Sequence, residues 1–230
     1  MKEFIKGCKK GLPIALGYFP VSFSFGVLVV SSGLPLGLAT FISLTNLTSS
    51  GQFAGVSLML AQANYIEIAI TLLLINARYF LMSLSLSQKI DQKMNTIQRM
   101  IISFGITDET FGIASIQNNT LTFHFMLGFI LIPIIGWTSG TLAGEILMNF
   151  LPVSLQNAMG IALYGMFLAI IIPASTKSKP ILEVIFISAV ISVLFYYVPV
   201  FSSGVALIIS TLCGAIYGAW KYPVKEGISL

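Results

Sequence analysis

The sequence predicts an all-α, polytopic helical membrane protein with about seven to eight membrane segments. Of the 230 residues, 56% are hydrophobic and only 9% are charged, whereas a soluble domain carries about 25% charged residues. A span needs about 20 apolar residues, and four longer tracts contain no Asp, Glu, Lys or Arg: Gly11–Ile66, Thr110–Gly144, Ile146–Thr176 and Val184–Trp220.

Basic residues lie between and beside these tracts, as the positive-inside rule describes. Although the net charge is +4, this placement of the basic residues predicts no nucleic-acid partner. It predicts a protein embedded in the bilayer, multi-pass in the cell (inner) membrane. Cys8 and Cys213 are too few and too far apart for a disulfide framework, and no Cys/His spacing suits a metal. We expect neither a cofactor nor a metal.

The first segment, residues 11–30, contains Pro13 and Pro20, so a kink is expected near Pro20. The second, residues 36–62, is apolar at both ends and polar inside, which predicts a broken helix whose exposed backbone is buried in protein or lines a cavity. The third, residues 65–86, carries Arg78. Further segments are expected at residues 100–118, 122–149, 155–174, 182–198 and 203–220.

A short motif indicates an internal repeat. Ser50-Gly51-x-x-Ala54-Gly55 returns as Ser139-Gly140-x-x-Ala143-Gly144. We predict one membrane domain, 1–230, built from two three-segment repeats (11–88 and 100–176) and a C-terminal helix pair (180–221). If every segment crosses, the second repeat is inverted, but loop 89–99 then lies outside, against the charge rule. If each motif segment enters and returns, the repeats are parallel and the basic loops lie inside. We favour inversion and keep the alternative open.

Ionisable residues inside apolar sequence predict the functional site. An unpaired charge such as Arg78 at the bilayer centre costs roughly 3 kcal/mol. Glu67 is about 16 Å away along the same helix, so the partner of Arg78 must come from another segment. Asp108 and Glu109 are adjacent carboxylates whose proximity favours proton uptake. Arg78, Asp108 and Glu109 are therefore candidates for proton coupling. The alternative is that Thr107 or Asp108 caps a helix near water.

Small and polar residues near the interrupted helices are candidates for binding a substrate. Exposed backbone groups at the end of a half-helix can bind an amino or carboxylate group, whereas the alternative for such residues is tight helix packing. Arg78 and Asn76 lie on different faces of one helix. We expect Glu67, Glu145 and His124 to be interfacial. The substrate-binding candidates are Ser50, Gly51, Gln52, Asn76, Gly140 and Thr141.

Four motifs in order resemble the AzlC family: Gly11-Leu12-Pro13-Ile14-x-x-Gly17-Tyr18-x-Pro20, Leu44 to Gly55, Asn76-x-Arg78-Tyr79-x-Leu81-Met82-Ser83, and Thr107-Asp108-Glu109. Members of this family are large permease subunits of bacterial branched-chain amino-acid exporters. The resemblance implies export of leucine, isoleucine, valine or analogues, coupled to protons, with a small AzlD-type membrane subunit as partner.

Other functions remain open from the residues alone, because a fold hosts many functions. A passive channel, a transporter of another small solute and a structural subunit of a membrane complex are the alternatives. No phosphate-binding G-x-x-x-x-G-K-[ST] motif, Ser/His/Asp set or H-E-x-x-H motif supports an enzyme, and we predict that the protein is not one.

Overall fold

The computed structural model describes residues 1–117, 119–152, 154, 168, 172, 175–176, 178–198 and 203–223. These residues form helices and their connections, apart from an isolated bridge between Ile90 and Leu121. The all-α prediction is therefore confirmed. The predicted segment 155–174 lies outside the described residues except at isolated positions. The helices are α1 (Lys2–Ser31), α2 (Leu38–Thr45), α3 (Ser50–Leu60), α4 (Tyr65–Ser87), α5 (Thr96–Phe104), α6 (Asp108–Ser115), α7 (Phe123–Leu147), α8 (Lys179–Tyr197) and α9 (Ser203–Lys221).

Four described helices are long and apolar enough to cross a membrane: α1, α4, α8, and α7 together with the 3-10 turn Met148–Phe150 that follows it. A helix of 20 residues is about 30 Å long, which matches the hydrocarbon core of a bilayer. The count of seven to eight segments stays a prediction.

The centre of the first compact unit, residues 1–60 with 75–163, is a close parallel pair of helices, α1 and α7. Gly7 lies against the Phe125 carbonyl near the start of both helices, and Gly26 lies against the Thr141 carbonyl near their ends. A Cβ at either glycine would overlap the facing backbone. The pair therefore has an N-terminal end, where both helices begin, and a C-terminal end, where both helices finish.

Helices α2 and α3 form a hairpin, the first hairpin, that enters from the C-terminal end of the pair. The backbone N–H of Ala39, at the start of α2, donates to Glu145 in the last turn of α7 at 2.9 Å. One turn further along α2, Ser43 Oγ lies 2.8 Å from Thr141 Oγ1, deeper in the bundle.

After a break at residues 46–49, α3 returns toward the same end. The Phe53 ring packs edge-on against that of Phe25 at 5.1 Å. Val56 then joins the cluster that contains Val29 and Ala39 near the C-terminal end. The predicted interruption of this segment is confirmed, because Asn46 and Ser49 leave the helical conformation.

Helices α5 and α6 form a second hairpin that enters from the opposite, N-terminal end. The chain leaves α4 beside the start of α7, where Leu121 donates its backbone N–H to the Lys89 carbonyl at 2.9 Å. Gly105, at the end of α5, packs against Ile130 two turns inside α7. Helix α6 then returns, because Lys89 Nζ donates to the Ser115 carbonyl at its far end.

The favoured inverted topology requires every segment of the first repeat to cross, and the described residues do not meet that requirement; how the two repeats are related stays a prediction. The segment 36–62 enters and returns, and the loop after α4 lies at the end where α1 begins. The physical reason is the polar break at residues 46–49, which leaves α2 with 8 residues and α3 with 11, each too short to cross. Ser50 opens α3, whereas Ser139 lies inside continuous α7. The bounds of the repeats stay a prediction.

In the second compact unit, residues 61–74 with 164–230, α8 contacts α9. A Glu183 carboxylate oxygen accepts from Tyr217 Oη at 3.0 Å, Lys221 Nζ at 2.7 Å and Tyr222 Oη at 2.8 Å. These contacts join the start of α8 to the end of α9.

Candidate functional site

Arg78 and Asp108 form an ion pair where the two hairpins meet. Arg78 Nη1 lies 2.6 Å from Asp108 Oδ2, and the two side chains are 41% and 36% exposed. Arg78 comes from the middle of α4, and Asp108 is the first residue of α6. The prediction that the partner of Arg78 belongs to another segment is confirmed.

The start of α6 is fixed by a capping box. Thr107 Oγ1 accepts from the Thr110 backbone N–H at 3.3 Å, and Thr110 Oγ1 accepts from the Thr107 N–H at 2.7 Å. Asp108 and Glu109 consequently lie in the first turn, where the helix dipole stabilises negative charge. The capping alternative for Thr107 is confirmed. The cap coexists with the ion pair because it does not use the Asp108 side chain, which is therefore available to bind Arg78.

Tyr18, near the middle of α1, binds the same helix start. Its hydroxyl hydrogen-bonds to Thr107 Oγ1 at 2.6 Å and to Glu109 Oε2. The ring is buried and packs edge-on against Trp137 at 5.3 Å. Sequence reasoning missed Tyr18 as a site residue; the only signal was a phenol placed among the glycine and prolines of the first span.

Helix α4 binds the start of α3 in a comparable way. Arg78 Nη2 donates to Ser50 Oγ at 3.0 Å, and Tyr79 Oη donates to the Thr48 carbonyl at 3.2 Å. The Asn76 amide packs directly on Gly51, where an added Cβ would lie 2.9 Å from Asn76 Oδ1. Although Asn76 and Arg78 lie on different faces of α4, both side chains reach the first turn of α3.

Several buried atoms around this point have no hydrogen-bond partner among the described residues: Thr48 Oγ1, Asn76 Oδ1 and Arg78 Nε. Buried polar groups in proteins are usually satisfied by protein or water. The orphaned atoms therefore mark a place that suits water or a polar ligand.

The remaining substrate-binding candidates lie apart from the ion pair. Gln52 is buried, and its Nε2 donates to Ser43 Oγ at 3.1 Å. Thr141 binds the same serine from α7. Gly140 packs against the Phe19 carbonyl of α1, so its small size serves helix packing. The structure brings together Arg78, Asp108, Ser50, Gly51 and Asn76, and it places Gly140 and Thr141 on α7 in the contacts with α1 and α2.

Glu145 was expected at an interface, and that prediction is wrong. Its side chain is 2% exposed. It accepts from the backbone N–H groups of Gly37 at 3.1 Å and Ala39 at 2.9 Å, and from Thr40 Oγ1. A carboxylate can be buried when hydrogen-bond donors surround it, and here the unpaired N–H groups at the start of α2 supply them. Sequence spacing carried no signal of this distant partner.

Other predicted residues have simpler surroundings. His124 is exposed in the first turn of α7, and Glu67 lies in the first turn of α4. Among the described residues, no group of three or more His, Cys, Asp and Glu side chains could hold a metal ion.

Comparison with known proteins gives the family. The model of the family described as AzlC protein matches residues 13–151, which is more than half of the chain. The chain belongs to the AzlC family. This match covers both hairpins, α4 and all of the candidate site residues.

Relatives of this AzlC family chain are membrane proteins. It is 25% identical to "Inner membrane protein YgaZ" of Escherichia coli K12, over 93% of this chain and 88% of that protein. It is 31% identical to an uncharacterized membrane protein of Helicobacter pylori 26695, over 64% and 66%. It is 29% identical to one of Archaeoglobus fulgidus, over 94% of both chains. No solved structure matches the chain significantly. The family and these relatives support a multi-pass membrane transporter.

Proposed function

We propose that this AzlC family protein is a proton-coupled secondary transporter that exports branched-chain amino acids across the inner membrane. The observation that carries the proposal is the Arg78–Asp108 ion pair, held between the starts of α3 and α6. The substrate class comes from the family resemblance, and so does the partner, a small AzlD-type membrane subunit.

Partial exposure of the ion pair supports a polar path. Arg78 and Asp108 are 41% and 36% exposed on elements that meet near the middle of α1. Charges at that depth do not face hydrocarbon without a large cost. Their exposed surfaces therefore face water or another protein surface, as in transporters whose interrupted helices line the substrate site.

A coupling cycle follows from the chemistry of the pair. Arg78 binds the carboxylate of an amino acid bidentately, and the ionised Asp108 binds its ammonium group, while the Ser50 hydroxyl and the first turns of α3 and α6 orient it. A proton that enters from outside neutralises Asp108, so the ammonium group loses its partner and the amino acid leaves to the outside. The empty, protonated site then returns and releases its proton to the cytoplasm, which restores the Arg78–Asp108 ion pair. Glu109 is a second carboxylate that a proton can reach through the same site.

Leucine efflux from liposomes that contain the chain, with and without the small partner, tests the proposal. Asp108→Asn removes the titratable group and is expected to abolish efflux driven by a pH gradient. Glu183→Gln is the matched control, because Glu183 also pairs with a cation, Lys221 at 2.7 Å, but belongs to the α8–α9 contacts. Unchanged efflux and pH dependence in Asp108→Asn would remove the coupling role.

The alternatives are separate outcomes of this assay. Wild-type efflux that continues at the same rate after the proton gradient is collapsed identifies a passive channel or a uniporter. Absence of any leucine flux, with and without the partner, favours another solute or a structural subunit.

A further inference from the structure

We propose that Tyr18 and Tyr79 are a matched pair of positioning residues, each of which holds the break of one hairpin against a membrane-spanning helix and so closes one side of the central site. This inference rests on the proposed transport function and adds the means by which access to Arg78 changes sides.

Tyr18 holds the second hairpin to α1. Its hydroxyl binds Thr107, the residue that caps α6, and Glu109 in the first turn. The ring is fixed by burial and by the edge of Trp137, so the hydroxyl position is set by the α1–α7 pair. Residues 105–107 form the break that connects α5 to α6, and both helices extend from it to the N-terminal end. The contact with Tyr18 therefore governs whether the tip of this hairpin can move toward that end.

Tyr79 holds the first hairpin to α4. Its hydroxyl donates to the carbonyl of Thr48 at 3.2 Å, inside the break between α2 and α3. The next residue, Ser49, has a left-handed φ of 47°, a strained conformation for serine that neighbouring contacts must maintain. Because this hairpin extends to the C-terminal end, Tyr79 governs whether its tip can move toward the C-terminal end of the bundle.

Arg78 connects the two hairpins, because it binds Ser50 of the first and Asp108 of the second. Movement of either hairpin alone therefore exposes the guanidinium to one end of the bundle while the other hairpin still covers it. That is the geometry required for alternating access around a fixed site.

Charge predicts which end is which. The N-terminal end carries the basic start of α1, and the loop after α4 with Lys89 and Lys93 lies beside the start of α7. By the positive-inside rule this end faces the cytoplasm. Loosening Tyr18 should then open the site toward the cytoplasm, and loosening Tyr79 should open it toward the outside.

Labelling of one central cysteine from the two membrane sides tests the inference. The reporter is Ser50→Cys, in a chain in which Cys8 and Cys213 are replaced by alanine. A membrane-impermeant maleimide is applied to inside-out and right-side-out vesicles. Tyr18→Phe is expected to raise labelling from the cytoplasmic side by about fivefold, the effect of losing one buried hydrogen bond. Tyr79→Phe should raise labelling from the outside by a similar factor.

Tyr217→Phe is the control, because it also removes one phenol hydroxyl but from the α8–α9 contacts; it should change neither rate. If Tyr18→Phe does not reach the membrane, Thr107→Val removes the Tyr18–Thr107 hydrogen bond from the hairpin side, together with the side-chain cap of α6, and is expected to raise labelling from the same side. An increase on the same side for both variants, or on neither side, overturns the inference.

The labelling needs no substrate, so it separates this inference from the proposed function. Efflux is measured in the chain that keeps Ser50, because Ser50 belongs to the proposed site. Opposite shifts in labelling, with no leucine efflux from that chain, support the positioning roles and count against the transport proposal. Leucine efflux with unchanged sidedness supports transport and overturns the positioning roles.

Discussion

Ser50 and Asp108 begin α3 and α6, the returning helices of two hairpins that enter the bundle from opposite ends, and each binds one terminal nitrogen of the Arg78 guanidinium. Nη2 lies 3.0 Å from Ser50 Oγ, and Nη1 lies 2.6 Å from Asp108 Oδ2. A planar guanidinium can make both contacts at once because its donors point in fixed, different directions. The guanidinium therefore bridges the two hairpins.

Arg78→Lys keeps the positive charge but loses the planar set of N–H donors with which the guanidinium makes its two contacts. A lysine ammonium is a point charge on a flexible stem and does not reproduce two fixed contacts. We expect leucine efflux to fall by about tenfold or more, as for loss of a charge-assisted hydrogen bond. Arg99→Lys, at an exposed arginine, is the control and should retain wild-type efflux. Wild-type efflux in Arg78→Lys would show that the second contact is unnecessary.

Removal of the buried carboxylate of Glu145 should destabilise the protein. Glu145→Ala leaves the N–H groups of Gly37 and Ala39 without their acceptor, at an expected cost of about 2 kcal/mol or more. The melting temperature of the detergent-solubilised protein should fall by about 5 °C. Glu3→Gln, at an exposed residue paired with Lys6 at 4.0 Å, should leave it unchanged. Equal melting curves for the two variants would contradict the buried cap.

The close approach of α1 and α7 should tolerate no side chain at Gly26. A Cβ there would overlap the Thr141 carbonyl oxygen, and overpacking costs about 1–3 kcal/mol. Gly26→Ala should therefore lower the melting temperature or the yield of folded protein. Gly17→Ala is the matched control in the same helix: no atom lies within 4 Å of its added Cβ, and alanine is the better helix former. The idea fails if both alanines behave alike.

Sidedness of the loop after α4 distinguishes the two topologies that the sequence leaves open. With Cys8 and Cys213 replaced by alanine, Gln92→Cys should react with an impermeant maleimide only from the cytoplasmic side, because it lies at the end where α1 begins. Leu36→Cys, in the connection between α1 and α2, should react only from the outside. Labelling of Gln92→Cys from the outside would restore the topology in which residues 36–62 cross.

The amino-acid sequence by itself determined that the protein is a helical membrane protein, because long uncharged tracts leave no other way to satisfy the backbone in lipid. It also predicted an interrupted helix within residues 36–62, because the polar side chains there favour turns over helix, although the position of the break at residues 46–49 needed the tertiary structure. The cost of burying Arg78 was enough to predict a partner on another segment, although the choice of Asp108 over Glu109 needed coordinates.

Only the tertiary structure decided which end of the bundle each hairpin enters and which distant groups meet. Tyr18 binds Thr107, and Glu145 caps α2, across separations that no local pattern encodes. The similarity between Ser50-Gly51 and Ser139-Gly140 was misleading about local structure, because glycine serves a helix start in one case and close packing on α1 in the other. The local sequence sets the apolar length, the breaks and the charge of each segment. The pairing of buried polar groups depends instead on how the segments pack.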